Sequence, residues 1–344
     1  MRKFIVKIFS FSIIPFILIL VPTLLYMKRD VYADFKQYNN YSWKYSFQQL
    51  GDLSTKKLLK APNNKYNSFI FGSSRTTGVY ACYLQHKIPN AHFFHYANWN
   101  ESIGGIDEKL KLLDTLGYNI SNVVIYLDTD NTFENDGACH PSDHYLLTQK
   151  SERDYMLSHY KSFFSSLNAD KIKILCGMPV SGGIYPNWES DPVTNDCKHF
   201  CTDSIIATYG DVLHDEKFMH KMDSLKANGF LYKRSATQQY RPQQISAGEE
   251  RMLLSMKKIF EKHNTSYYIV IAPLYDQEKF APADMAILQR CFGSRLYDFS
   301  GINAITNNVY NYPDRKHFQP YISKMILDSV ITDKSSLHVQ MSKR

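Results

Sequence analysis

The sequence predicts an α/β fold: a three-layer α/β/α sandwich built on a parallel sheet, interrupted by an internal loop-rich insertion and preceded by an N-terminal transmembrane helix. Two observations predict the sandwich. Short β-like runs alternate with helix-like runs on both sides of an irregular middle, and such alternation calls for parallel strands joined by crossover helices. The 344 residues are 44% hydrophobic and 21% charged, enough to bury one sizeable core and unlike a disordered chain. A third observation, a long, mostly apolar stretch close to the N-terminus, predicts the transmembrane helix.

That stretch covers residues 4–26, apolar except for Lys7 and a few Ser, Thr and Pro, with no charge from Ile8 onward. At about 1.5 Å rise per residue, about 19 such residues nearly cross a hydrocarbon layer of about 30 Å. A cleaved signal peptide is the rival reading. The run exceeds the usual apolar length of about 7–15 residues and ends in bulky Leu25-Tyr26-Met27 instead of small residues, so an uncleaved anchor over 1–27 is preferred. Arg2, Lys3 and Lys7 slightly outweigh Lys28 and Arg29, which places the N-terminus inside and the remainder outside the cytoplasm.

Residues 28–64 are polar and Tyr-rich, with weak helical character over 45–59, and read as a stalk. The main domain follows over 65–335. Residues 67–71, 91–96 and 122–127 are expected strands, and 106–116 an amphipathic helix between the last two. From about 134 to 242 the pattern loosens into the insertion, where 171–176 reads as a strand and 152–167 and 216–227 as helices. Gly182, Gly183, Pro186 and Pro192 make part of it irregular.

Regular alternation then resumes. Ser246-Ala247-Gly248-Glu249 has the form of a capping box ahead of a helix to Lys262. Residues 266–271 and 295–299 follow as strands, 284–291 and 320–331 as helices, and 336–344 as a basic tail.

The six cysteines are Cys82, Cys139, Cys176, Cys197, Cys201 and Cys291, and outside the cytoplasm they can form disulfides whose pairing sequence does not fix. Cys197-Lys198-His199-Phe200-Cys201 matches no common zinc spacing, so a disulfide tying down a surface excursion is preferred, with free buried thiols next. His140 and His144 beside Asp143 read as flexible polar surface, and no metal or cofactor is expected. The net charge of +7 is scattered, without a basic stripe interleaved with aromatics, which argues against nucleic acid as a partner. The 25 Tyr and 21 Phe suit a sugar-facing groove and an ordinary core equally.

Two blocks carry chemistry. The first strand runs into Gly72-Ser73-Ser74-Arg75-Thr76, and ligands of a parallel sheet bind beyond the carboxyl ends of its strands. A Ser there can present its hydroxyl at the start of a helix whose N–H groups favour an oxyanion; equally, Ser73 or Ser74 can simply cap that helix. Near the other end, Asp314-Arg315-Lys316-His317 puts a carboxylate three residues before an imidazole. A nucleophilic serine needs such a base, and the base a carboxylate to fix its tautomer. Either block alone has an ordinary explanation as a turn. Together they point to Ser74, Asp314 and His317 as a triad.

These blocks resemble the SGNH/GDSL hydrolase superfamily, of flavodoxin-like α/β/α fold, whose nucleophile follows the first strand and whose Asp-x-x-His precedes the last helix. Gly72-Ser73-Ser74 is similar to the variant block of the branch containing D-alanyl-lipoteichoic acid transfer and alginate acetylation proteins, which assigns the nucleophile to Ser74. Asp314 to His317, followed by Phe318 and Pro320, matches the last block. The likeness extends over about 67–327. It implies an oxyanion hole completed after the second and third strands, where Asn100 and Asn131 are the candidates, although Asp128-Thr129-Asp130-Asn131 departs from Gly-x-Asn-Asp.

The resemblance implies a membrane-anchored, extracytoplasmic serine esterase or O-acyltransferase. It would act through an acyl-serine on a cell-envelope glycan or polymer, acetyl being the favoured acyl group, with a membrane acyl-donor protein as a further partner. The altered third block motivates the alternative, a catalytically inactive SGNH-like component that binds glycan or assembles an envelope polysaccharide machine. No Gly-x-Ser-x-Gly elbow, His-Glu-x-x-His, phosphate-binding loop or dinucleotide-binding glycine pattern competes with this reading.

Overall fold

The structure is a computed structural model that describes residues 2–36, 50–61, 65–96, 98–139, 144–148, 150–178, 180, 190–196 and 216–341, with the backbone alone at 2–12, 135–136 and 332–341. The chain divides into two compact units, one formed by 1–48 and 149–189 and the other by 49–148 and 190–344.

The larger unit is α/β with a parallel central sheet. Its strands are β1 (Ser68–Phe71), β2 (Phe93–His95), β3 (Asn122–Leu127), β5 (Ser266–Ile271) and β7 (Leu296–Asp298), in the order β2-β1-β3-β5-β7 and parallel throughout. Two further short strands, β4 (Gln239–Tyr240) and β6 (Glu278–Lys279), form a separate parallel pair. Side chains alternate across the sheet, as the two-residue period of a strand requires. Phe69, Phe71, Val123, Ile125 and Ile269 join one core with Ile106, Leu110 and Leu113 of the helix Ile103–Thr115 and Leu253 and Met256 of the helix Ala247–Lys262. Ile70, Val124, Tyr126 and Val270 join a second core with Leu84, from the helix Ala81–Lys87, and Ile322 and Ile326, from the helix Pro320–Met341. An apolar core on each face of the sheet is consistent with a three-layer sandwich.

β1 pairs with β2 on one side and β3 on the other, so the order reverses direction at β1. The crevice at such a switch point is where an open parallel sheet binds ligands. The loops after β1, β2 and β3 all open there.

The capping box at Ser246 and Glu249 is present. The helix Leu50–Lys60 packs into this unit through buried Leu50, Leu53 and Leu58, so the segment expected as a stalk over 28–64 contributes an integral element. Residues 190–196, part of the expected insertion, also belong here, and Asn195 donates from Nδ2 to the His95 carbonyl.

The smaller unit is helical. The helix Arg2–Arg29 turns at 30–36, where the buried carboxylate of Asp30 accepts from the amides of Asp34, Phe35 and Lys36. Tyr26, Val31, Tyr32, Phe163, Ile174 and Leu175 form its core together with the helices Glu152–Ser165 and Ala169–Cys176. His159 stacks on Tyr32 at 4.2 Å and meets Asp34 at 2.9 Å.

Residues 171–176, expected as a strand, are helical. Asn168 caps the Lys171 amide, and Gly177, at φ 77°, closes the far end with its amide on the Ile174 carbonyl. These two signals outweigh the strand-like alternation of Lys and Ile.

Among the described residues no helix is long and apolar enough to cross a membrane. The anchor expected over 1–27 falls partly on 1–12, whose side chains lie outside the described residues. Cys176 and Cys291 carry free thiols. Cys197 and Cys201, where a disulfide was expected, and His140 and Asp143 lie outside the described residues.

Candidate active site

Gly72 ends β1 with φ +150°, and a Cβ there would stand 2.5 Å from the Thr76 methyl and 3.2 Å from the Tyr126 carbonyl. Only glycine fits that bend. A 3-10 turn follows over Ser74–Gly78, and the two serines divide the roles that sequence left open. Ser73 is the cap: its Oγ accepts from the Arg75 amide at 3.3 Å and donates to Asp128 at 2.5 Å, beyond β3. Ser74 faces His317, with its Oγ 3.0 Å from Nε2.

His317 sits just ahead of the helix Pro320–Met341. Its Nδ1 lies 3.1 and 3.0 Å from the two Asp314 oxygens, so Nδ1 carries the proton and Nε2 is left to accept from the Ser74 hydroxyl. Burial alone would raise the Asp314 carboxyl. The hydrogen bonds from the His317 ring and from the Lys316 and His317 amides reverse that and hold it down to about 2. The carboxylate is therefore ionised at neutral pH, as an orienting partner must be. The geometry brings together Ser74, His317 and Asp314, at donor–acceptor separations suited to general-base catalysis.

Beside Ser74 lies a cavity of about 450 Å³ whose walls include Trp99, Asn100, Ser102, Asp130, Asn131 and Lys316. Both oxyanion candidates, Asn100 and Asn131, reach it, and neither side-chain amide bonds another described residue. The Ser74 amide, the donor expected from a helix start, is instead given to the Trp99 carbonyl at 3.0 Å. Among the described residues the walls are polar apart from Trp99 and Ala138 and offer no lining for a long acyl chain.

Three features of the site were missed in the sequence. Arg75 forks onto Asp130 at 2.6 and 2.7 Å, reaches Asp128 at 3.0 Å and donates from Nε to the Lys316 carbonyl at 2.8 Å. Burial alone would weaken its charge, but Asp128 and Asp130 hold its pKa above the ordinary arginine value. Asp128 is fully enclosed, and burial pushes its carboxyl up against the pull of Arg75 and Ser73. The signal was present in Asp128-Thr129-Asp130: two acidic residues after β3 are what an arginine beside the nucleophile requires.

Beneath the turn, His95 bridges Asp196 at 3.1 Å and Thr76 at 2.9 Å. This second Asp–His–hydroxyl chain is buried at every member and supports the turn from below.

The third feature overturns a reading. His144, expected as flexible polar surface, is 1% exposed and meets Glu101 at 3.0 Å, while Lys109 takes the other Glu101 oxygen at 2.5 Å. Burial would raise the Glu101 carboxyl, but Lys109 and His144 hold it below its ordinary value, so it is ionised. This buried cluster pins the turn that presents Trp99, Asn100 and Ser102 to the cavity. The chain matches no family model and no curated relative.

Proposed function

We propose that this protein is a serine esterase or O-acyltransferase of the SGNH type, working through an acyl-serine intermediate. The observation that carries the reading is the continuous run Asp314–His317–Ser74, with His317 Nε2 3.0 Å from Ser74 Oγ and Nδ1 3.0 Å from Asp314. Ser74 Oγ attacks an ester carbonyl as its proton passes to His317 Nε2. The tetrahedral oxyanion takes donors from Asn100 and Asn131 at the cavity wall. On collapse the C–O bond to the leaving alcohol breaks, and His317 returns its proton to that oxygen. Water or a sugar hydroxyl, deprotonated by the same nitrogen, then attacks the acyl-serine; the acyl C–O bond to Ser74 breaks and His317 returns the proton to Oγ.

A polar cavity with one indole wall favours a short acyl group such as acetyl and a hydroxyl-rich partner, an acylated envelope glycan or polymer. The finer assignment of the fold as an SGNH-like three-layer sandwich belongs to the same proposal, as does a membrane anchor at the N-terminus with the site outside the cytoplasm. The anchor is supported by Phe16, Leu18 and Ile19, among other large apolar side chains exposed along the helix Arg2–Arg29.

One observation favours the alternative, an inactive glycan-binding or assembly component: the Ser74 amide is occupied by the Trp99 carbonyl and unavailable to an oxyanion. A fluorophosphonate probe read by intact mass decides between them. The catalytic reading expects one adduct, mapped to Ser74, absent in Ser74→Ala and strongly slowed in His317→Ala. An unlabelled wild-type protein that is retained on envelope polysaccharide would leave the binding component standing.

A further inference from the structure

We propose that Arg75 is a positioning residue of this site, tying the Ser74 turn to the His317 loop so that the serine–histidine hydrogen bond is set before substrate arrives. The kinetic part of the proposal rests on the acyl-transfer reading above; the geometric part stands without it.

The loop that carries His317 is flanked by buried Tyr312 and Phe318, and within it Arg315 and Lys316 are exposed, Arg315 lying over the Phe230 ring at 4.6 Å. Its internal bonds are local: Asp314 accepts from the amides of Lys316 at 2.7 Å and His317 at 2.9 Å. Such bonds fix the shape of the loop, and Phe318, stacked on Tyr126 of β3, holds its C-terminal flank, but neither joins it to the Ser74 turn. Arg75 Nε, donating to the Lys316 carbonyl at 2.8 Å, supplies the side-chain hydrogen bond that reaches the backbone of 313–317 from outside the loop, among the described residues. The Lys316 residue is thereby held at both ends, its N–H by Asp314 and its carbonyl by Arg75, and His317 follows directly.

The other end of the tether is equally fixed. Arg75 is next in sequence to Ser74 and only 7% exposed, and its two terminal nitrogens are spent on Asp128 and Asp130 in the loop after β3. A planar fork with a lateral Nε–H can serve three partners in three directions; an ammonium cannot. One side chain therefore sets the relative places of the nucleophile turn, the base loop and the loop bearing Asn131. Most of the guanidinium donors are committed in this way, although Arg75 also reaches the cavity wall, so positioning is separated from a direct role in binding substrate by the KM-against-kcat split.

Arg75→Lys is the discriminating variant, because it keeps a positive charge for Asp128 and loses the lateral bond to Lys316. Two measurements are made on the full chain: the rate of fluorophosphonate labelling with kcat and KM on an acetyl ester, and the ring-nitrogen NMR signals of His317 with histidine labelled in ¹⁵N. A loose triad is expected to lower labelling and kcat by about 10-fold to 100-fold with little change in KM. The His317 signals should shift from a fixed Nδ1–H tautomer toward a mixture. Wild-type labelling together with unchanged His317 signals would overturn the proposal and leave Arg75 a buried structural ion. Should the wild-type protein itself resist the probe, the acyl-transfer reading falls, and the His317 signals alone decide, altered supporting the tether and unaltered refuting it. If Arg75→Lys does not fold, Asp130→Asn, which weakens the hold on the fork while keeping its shape, is judged by the same two outcomes.

Discussion

Asp314 is the residue at which charge and position meet most clearly. Its carboxyl is held to about 2, below the ordinary aspartate value of about 3.9. The folded chain therefore binds that proton less readily than the unfolded chain. The contribution to stability is complete above about pH 4 and is lost as the pH falls through about 2. Asp314→Asn removes the charge while keeping the shape. Its melting temperature is expected to lie below the wild-type value at neutral pH, with the gap closing as the pH is lowered toward 2; scanning calorimetry across that window checks it. A gap that stayed constant would mean that the carboxylate does not draw its stability from the His317 loop.

At the scale of elements, the helix Ala247–Lys262 and the helix Ala169–Cys176 teach opposite lessons. In the first, Ser246 and Glu249 announced the start in sequence, and the capping box is there. Ser246→Ala is expected to cost about 1 kcal/mol of unfolding free energy, measured by urea titration, because it orphans an amide at the helix start. In the second, the run Lys171-Ile172-Lys173-Ile174 alternates as a strand would, yet Asn168 and Gly177 bracket a helix. Short apolar runs are decided by their ends.

The central strands were legible because buried parallel strands are continuous apolar runs bounded by turns. Ser74, Asp314 and His317, which the fold brings together, were legible because they occupy local blocks with a chemical reason for each residue type. Arg75 with its two aspartates, and Glu101 with Lys109 and His144, were not. Arg75 lies 55 residues from Asp130 and His144 lies 43 from Glu101, and although Asp128-Thr129-Asp130 and the Glu101–Lys109 spacing of 8 were visible in the sequence, nothing local marks those charges as destined for burial.

Across the whole molecule, burial sorts groups that composition treats alike. Cys291 is 2% exposed, and burial pushes its thiol up, whereas Cys176 is an exposed thiol at the end of its helix. Alkylation with a maleimide in native buffer, mapped by peptide mass, is expected to modify Cys176 within minutes and Cys291 only after denaturant is added, since thiolate fraction and access both oppose reaction at Cys291. Early modification at Cys291 would contradict the packing of the helix Pro282–Phe292 against the sheet.

The parallel sheet has one further consequence, and it concerns time. Ser74 and His317 stand 243 residues apart, and β3 finds its partner β5 only after the intervening segment has been made. At a synthesis rate of about 5–20 residues per second, at least ten seconds or so separate the emergence of Ser74 from that of His317. Throughout that interval Ser74 lacks the His317 ring that its hydroxyl meets in the folded chain. The chain thus carries its own delay, and on the proposed acyl-transfer reading a nascent fragment ending before the Asp314 loop is expected not to react with a fluorophosphonate however well its first strands have paired.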